Sequence, residues 1–531
     1  MAEEEDAVFW ADRAAATLAR DFPGPQVVED EKTPSGHVHV GALRGVVIHD
    51  CLYKACRDAG LGAKYLYGID DFDSLDKILP YHPPGFEKHL GEPLSRVPST
   101  DGSFPSYSKQ FGTEFINAFK ELGCSPEIYW TSEVYASGRF NAAIKIALDN
   151  AAKINELNAT ISGAQKPSEY LPFKPVCETC GKVSTTLAFG WDGKNVSYKC
   201  ADSREAKGCG HTGMVSPYDG RGKLPWKVEW VAKWMAFNVT CEYAGKDHFT
   251  KTGSHTVSAA ISEQVFNHRP PFGEGYEFIL LGKAKMSTSK GTGAMAADLV
   301  KNGDPSILRF FMAKSRPRSQ ISFEPESQNL LLLYDEYDRI ERAFFGKEGE
   351  KGAVEKEHLK RVYQLSAIGG IENEMPTQVP FSLAITVVQS AKGREIEALQ
   401  FMGHLPKTLT AHQQKQAEAR LTAARKWLEN YAPDEYKLSI LKELPQDAAA
   451  ALSLEEKELF AQAAEKIEAG IGGDELQNFV YNSAKERGLE TKKVFASAYK
   501  LLLGKERGPR LGPFLLSLEK EFATKRLRLQ G

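Results

Sequence analysis

The order of apolar and polar positions divides the chain into stretches of different character. Near the start, a short extended run ends at Val27 and Val28, and the turn-rich segment KTPSGHVHVG follows. From Ala42 to Ala59 the period is helical, with Val47, Cys51, Leu52 and Ala55 on one side, and Gly60 ends it. AKYLYGIDD then reads as a buried strand that ends in acids. Strand, helix and strand in that order predict a parallel sheet. Residues 85 to about 215 break the rhythm with helical stretches such as FNAAIKIALDNAAKINEL and polar loops, and read as an insertion. The alternation resumes after LPWKVEWVAKW. A strand through Tyr243 and Ala244 runs into GKDH, a helix is expected from about Ser254 to Phe266, and YEFILLG is a further strand leading into KAKMSTSKG. Beyond about residue 330 only helical patterns occur, as in NLLLLYDEYDRIERAFF, AEARLTAARKWLENY and EEKELFAQAAEKIEAG. No internal repeat is evident.

Composition adds limits. The 531 residues suffice for three or four domains. No apolar run approaches the ~20 residues of a membrane span. The N-terminal MAEEEDAVFWADRAAATLARDF is acidic and amphipathic, with no basic segment before an apolar core, so it does not read as a secretory signal. A cytoplasmic monomer with no membrane association is the expectation. The formal net charge of −3 makes no global case for a nucleic-acid partner. Local basic clusters do occur at Lys314, Arg316 and Arg318, at Lys505, Arg507 and Arg510, and at Lys525, Arg526 and Arg528. Each can attract phosphate, and each reads equally as solvated surface charge.

Two glycine-rich segments carry the chemistry. In TPSGHVHVGALRG, Gly36 and Gly41 let backbone approach a ligand, the first amides of the following helix favour an anion, and His37 and His39 can donate to phosphate. In KAKMSTSKGTG, lysines and hydroxyls surround a glycine turn directly after a strand, a composition that can wrap a triphosphate and oppose the charge of leaving pyrophosphate. Either alone also reads as a mobile surface turn.

Of the eight cysteines, Cys51, Cys56, Cys124 and Cys241 stand in apolar or helical contexts and read as core thiols. Cys177 and Cys180 form CETC, and Cys200 and Cys209 follow, with glycines at 181 and 210 behind the second and fourth thiols. Four thiolates so spaced suit structural, tetrahedral Zn²⁺, with His211 the runner-up for the fourth position and redox pairing the alternative. Trp226, Trp230 and Trp234 recur at helical spacing, which suits a buried face for the latter two and leaves Trp226 at the helix start freer to line a pocket. Asp247 and His248 follow a strand, where open α/β sheets bind ligands, and Asp70, Asp71 and Asp73 end another. Such acids can bind an amine or a ribose, or cap the next helix.

HVHVG resembles the HIGH signature of class I aminoacyl-tRNA synthetases, and KMSTS resembles their KMSKS signature. TPSGHVHVG, DDFD at 70–73, LPWKVEW, AGKDH, YEF and KMSTSKG together resemble the class I lysyl-tRNA synthetases, strongly over about 25–330 and more weakly beyond. The resemblance implies an α/β, Rossmann-like parallel-sheet catalytic domain (1–90 and 215–290), interrupted by a connective insertion with a zinc module (91–214). It further implies a stem-contact segment (291–330) and an all-α anticodon-binding domain (331–531). The implied activity joins L-lysine to tRNA(Lys) with ATP and Mg²⁺, and a glutamyl- or cysteinyl-type enzyme or a non-catalytic tRNA-binding relative is the alternative. Carried over by position, His39, Lys285 and Lys290 are catalytic. Gly41, Met286, Ser287, Thr288 and Ser289 meet ATP, and Thr33, Trp226, His248 and Tyr276 meet lysine; from their places in the turn and at strand ends, Ser35, Gly36 and His37 are expected at ATP, and Asp71 and Asp247 at lysine.

The chain departs from the family pattern at four places. Ala42 replaces the last His of HIGH, where lysyl enzymes often have Asn, and Thr288 replaces the second Lys of KMSKS, with Lys290 two residues on. Glu31-Lys32 stands where Gly-Ile is frequent, and Gly45 where a Glu sometimes stands. A segment near 95–110 that binds a second zinc in some relatives has no Cys or His here.

Overall fold

The computed structural model describes residues 9–281, 284–285, 295–349 and 353–530. Met286, Ser287, Thr288, Ser289 and Lys290 lie outside the described residues, and Lys285 is described by its backbone alone. Contacts divide the chain into two compact units: Met1–Lys301 with Leu308–Phe323 and Lys351–Ile371, and Asn302–Ile307 with Glu324–Glu350 and Glu372–Gly531. Residues 353–371, expected within the helical half, thus pack with the first unit.

In the first unit, β1 (Gln26–Lys32), β2 (Ala63–Ile69) and β3 (Glu127–Trp130) form a parallel sheet with β2 in the middle. On the other edge of β1, Val28 bridges Cys241 and Cys241 bridges Phe272, both parallel. Just beyond, Ala244–Gly245 pairs in parallel with Gly275–Tyr276. Lys32, Ile69, Gly245 and Tyr276 therefore stand at the carboxyl end of the sheet, where open α/β folds bind ligands.

Three expectations are corrected. First, β1 does not stop at Val28 but continues through Glu29, Asp30, Glu31 and Lys32, because its register with β2 runs unbroken to Lys32 opposite Ile69. Second, the expected insertion over 91–214 is smaller. The helix Tyr107–Glu121 and β3 belong to the sheet layer, with Leu66 of β2 opposite Glu127. The four-residue EIYW is too short for an alternating signal. Third, YEFILLG is two strands, Gly275–Tyr276 and Ile279–Leu281, in different sheets. Ile279–Leu281 pairs in parallel with Ile321–Phe323 and antiparallel with Ala284–Lys285.

Two buried arginines fix this unit. Arg44, on the helix Gly41–Asp58, donates to the carbonyls of Glu277, Phe278, Arg316, Pro317 and Ser319. Arg309 pairs with Asp50 and donates to the carbonyls of Leu122 and Leu365. Desolvating a guanidinium is costly, so each persists only because carbonyls and a carboxylate replace its water.

The zinc-type module is a three-stranded antiparallel sheet, Thr186–Trp191, Val196–Cys200 and Thr212–Val215. The second unit is helical. Ser453 and Glu456 close a capping box at the start of Leu454–Glu468, and Thr410 and Gln413 do so at the start of Ala411–Asn430. Arg420 pairs with Asp338 and lies 4.9 Å from the centroid of Tyr334, which stacks on Phe381. Among the described residues, no helix is long and apolar enough to cross a membrane.

Candidate active site and metal centre

A cavity of about 460 Å³ opens at the carboxyl end of the sheet. Thr33, His39, Gly41, Trp226, His248 and Tyr276 line it, six of the residues singled out from the sequence. They come from the turn after β1, the first turn of the Gly41–Asp58 helix, the Trp226–Phe237 helix, the turn after Gly245 and the end of Gly275–Tyr276.

The HVHVG turn is shaped by close approach. The imidazole of His39 lies over Gly41, where an added Cβ would stand 2.8 Å from the ring, so position 41 needs glycine. His39 Nδ1 is buried without a partner among the described residues. Burial, with Lys32 nearby, pushes its pKa down to about 4, so the ring is neutral near pH 7. Gly36 adopts φ +143°, and a Cβ there would meet Leu79 at 2.9 Å and Tyr81 closer still.

Besides Gly36, four predicted residues do not line the cavity. His37 turns to Glu114 at 2.9 Å, a hydrogen bond that raises its pKa, and edges onto Phe111 and Tyr81. The carbonyl of Ser35 accepts from the Tyr107 hydroxyl. Asp71 accepts from the Ser132 amide at 2.7 Å and its hydroxyl at 2.6 Å, so it caps the distant helix Thr131–Ala136; burial pushes its pKa up to about 6. Asp247 stands within the turn Lys246–Phe249, beside His248.

Trp226 is 45% exposed and stacks on Trp230, with His248 edge-on to both rings. Trp230 and Trp234 are buried, as their spacing predicted, and both indole N–H groups donate to Glu242. Burial holds the Glu242 carboxyl well above the usual range.

A buried charge network escaped the sequence reading. Six carboxylates line the cavity: Asp30, Glu31, Asp70, Asp73, Glu229 and Glu242. Lys233, on the tryptophan-bearing helix, pairs with Glu31 and Asp70 and stands 3.7 Å from Glu229. Lys223 pairs with Asp73 and with Glu229 at 3.1 Å. Asp73 also accepts from Thr33 at 2.6 Å. Lys32 lines the cavity too; burial lowers its pKa, and it makes no ion pair among the described residues. The DDFD acids were a visible signal, but their lysine partners lie about 150 residues away in sequence, beyond any local pattern.

In the module, the sulfurs of Cys177, Cys180, Cys200 and Cys209 all lie within 4.8 Å of one another. Cys177 and Cys209 are 3.6 Å apart, and Cys180 and Cys200 are 3.7 Å apart. A tetrahedron of ~2.3 Å Zn–S bonds has edges of about 3.8 Å. The Cys209 amide donates to Cys200 Sγ, and Gly181 and Gly210 take positive φ at the two knuckles. His211 is outside this group and meets the Tyr198 ring instead.

In the second unit, Lys437, Lys505, Arg507 and Arg510 surround a cavity of about 390 Å³ with Tyr436 and His404. The last basic cluster is engaged internally: Arg526 donates to the carbonyls of Leu501, Leu441 and Lys442, and Arg528 pairs with Glu468.

A family model described as tRNA synthetases class I (K) matches residues 8–369. A lysine–tRNA ligase of Thermococcus kodakarensis is 36% identical over 541 residues, covering 99% of this chain and 100% of its own. One of Methanosarcina barkeri is 34% identical over 542 residues, covering 98% and 97%. Among solved structures, a glutamate tRNA ligase from Elizabethkingia meningosepticum covers 95% of this chain and 98% of its own at 14% identity, with a TM-score of 0.41.

Proposed function

Because the chain belongs to the class I (K) tRNA synthetases, we propose that it is a lysine–tRNA ligase that activates L-lysine with ATP and transfers it to tRNA(Lys). One observation carries the reading: the glycine turn bearing His39 opens the same cavity that Trp226, His248 and Tyr276 wall.

In the first step the lysine carboxylate attacks the α-phosphate of ATP. A new P–O bond forms, the α–β bond breaks, and pyrophosphate leaves. No covalent enzyme nucleophile is required, so this chain's residues act by positioning and by meeting charge as it develops. A neutral His39 donates a hydrogen bond to phosphate without adding a proton to the reaction. Lys285 and Lys290 oppose the pyrophosphate charge, with Met286 to Ser289 wrapping it. Ser35, Gly36 and Gly41 shape the turn that admits the nucleotide, and Lys32 offers a cation to an anionic group. Mg²⁺ enters with the ATP phosphates, as is usual for that ion. In the second step a ribose hydroxyl of the terminal tRNA adenosine, the 2′ by family resemblance, attacks the activated carbonyl and releases AMP.

The indole of Trp226 packs on the lysine stem, and Thr33 and His248 complete that wall. Cys177, Cys180, Cys200 and Cys209 would hold a structural Zn²⁺, which would brace the module and take no part in either step. The basic-rimmed cavity of the helical unit supports a role in reading tRNA, the anticodon included. The enzyme is a cytoplasmic monomer in this reading.

Amino-acid-dependent pyrophosphate exchange over a panel of amino acids tests the function. Lysine alone should support exchange, and exchange with glutamate or cysteine in its place would overturn the reading.

A further inference from the structure

We infer that Asp30 is the acceptor for the ε-ammonium of the substrate, with the Tyr276 hydroxyl beside it; this rests on the lysine reading of the cavity. Five of the six cavity carboxylates are already engaged. Lys233 holds Glu31 and Asp70, Lys223 holds Asp73 and Glu229, and two indole N–H groups hold Glu242. Asp30 is 9% exposed and makes no ion pair with a lysine or arginine among the described residues. Its Oδ1 accepts from the Glu31 amide at 2.9 Å.

Its Oδ2 faces His49 Nδ1 at 3.5 Å. His49 Nε2 accepts from the Tyr243 amide, so it carries no proton. The proton is on Nδ1, which donates to the Gly45 carbonyl at 2.7 Å; burial opposes a charged ring while Asp30 and that carbonyl raise its pKa, but the Tyr243 N–H on Nε2 occupies the place of a second proton, so the ring is neutral. His49 therefore orients Asp30 and leaves its charge unneutralised. A buried carboxylate with no cation is costly unless a ligand supplies one.

Space and geometry agree. Asp30 and Tyr276 converge above Gly45: a Cβ built there would stand 3.0 Å from Asp30 Oδ2 and 2.7 Å from the Tyr276 hydroxyl oxygen. Both residues line the cavity, and no side chain at position 45 stands between their oxygens. A lysine stem lying against Trp226 would present its ammonium to a carboxylate and a phenol oxygen, both acceptors for its N–H donors. Lys32 lies two residues along β1, on the same face as Asp30, and offers a cation to the carboxylate end of the same substrate.

The test is Asp30→Asn, compared with the unaltered full-length enzyme for lysine, norleucine and ATP affinity and for lysine-dependent pyrophosphate exchange. Norleucine has the lysine stem without the ammonium. Lysine affinity should fall roughly 100-fold, the size of a lost charge-assisted hydrogen bond, while norleucine and ATP affinities stay unchanged. Asp30→Ser, which keeps an acceptor for the Glu31 amide, should give the same split. Equal loss for lysine and norleucine in both variants would mean a structural role, and lysine affinity retained in Asp30→Asn would mean another acceptor; either overturns the assignment. Absence of lysine-dependent exchange in the unaltered enzyme would overturn the ligase reading, and this assignment with it.

Discussion

Replacing Lys233 by Met tests the charge network under the cavity most directly. Lys233 is 1% exposed, with Glu31 and Asp70 on its ammonium and Glu229 at 3.7 Å. Burial works against its charge, yet Asp70, Glu31 and Glu229 outweigh that and hold its pKa well above the ordinary lysine value. Met keeps the stem and removes only the cation. The carboxylates it held would then be buried without a partner, a state that costs about 3–5 kcal/mol. Six of the seven tryptophans (Trp10, Trp130, Trp191, Trp226, Trp230 and Trp234) lie in the first unit and only Trp427 in the second, so indole fluorescence follows the first unit's unfolding. With a urea slope of about 3 kcal/mol per molar, the midpoint should fall by about 1 M or more.

The pH dependence has a definite sign. Burial already holds Glu31 well above the usual carboxyl range, against the pull of Lys233. Without Lys233 the folded state binds protons that the unfolded state releases above the ordinary glutamate value. Stability of the variant should therefore drop as pH rises, and going from about pH 8 to about pH 6 should recover part of the lost midpoint. An unchanged midpoint, or one that falls on acidification over that range, would refute the network as described.

Three other outcomes are expected. Chelation of metal, or Cys180→Ser, should expose residues 177–215 to amide exchange and release a single zinc; the buried cluster of Cys177, Tyr198, Cys200 and Val215 is too small to hold the knuckles alone. Trp226→Ala should raise the KM for lysine about tenfold with little change for ATP, read by pyrophosphate exchange. His39 has a folded pKa of about 4, below the free-imidazole value, so its contribution to stability is complete above about pH 6.5 and is lost as pH falls from there towards 4. Thermal unfolding from about pH 7 to about pH 4 should show that loss, and a His39→Ala variant should lose less, the remainder coming from groups such as His255, whose pKa burial also lowers to about 4.

The nucleotide side of the site was legible because glycine and histidine in a strand-to-helix turn are local signals. Gly36 and Gly41 stand where only glycine fits, and His39 follows from the motif. The amino-acid side was not. Glu29, Asp30 and Glu31 have low strand propensity and look like the polar end of a strand. They sit inside β1 because Lys233, Tyr129 and the Glu31 amide answer their charge, and two of those three come from distant segments. Its place at the end of a strand points Asp71 to the substrate, while its hydrogen bonds go to Ser132. The departure at Gly45 is informative in a different way: the residue marks where Asp30 and Tyr276 meet. The short strand at 127–130 had no pattern long enough to read.

Arg44 also fixes where a long excursion of the chain begins and ends. The chain leaves its guanidinium after Phe278 and returns to it at Arg316, so the segment between is closed by one side chain of the helix behind the HVHVG turn. The segment is not slack: Ile279–Leu281 pairs with Ile321–Phe323, and Arg309 reaches back to Asp50 of that same helix. A change of length within it has to leave both anchors in place. A lysine at position 44 has three N–H donors for five carbonyls, too few to close the segment as the guanidinium does. The excursion is held opposite the turn by a residue that does not line the cavity.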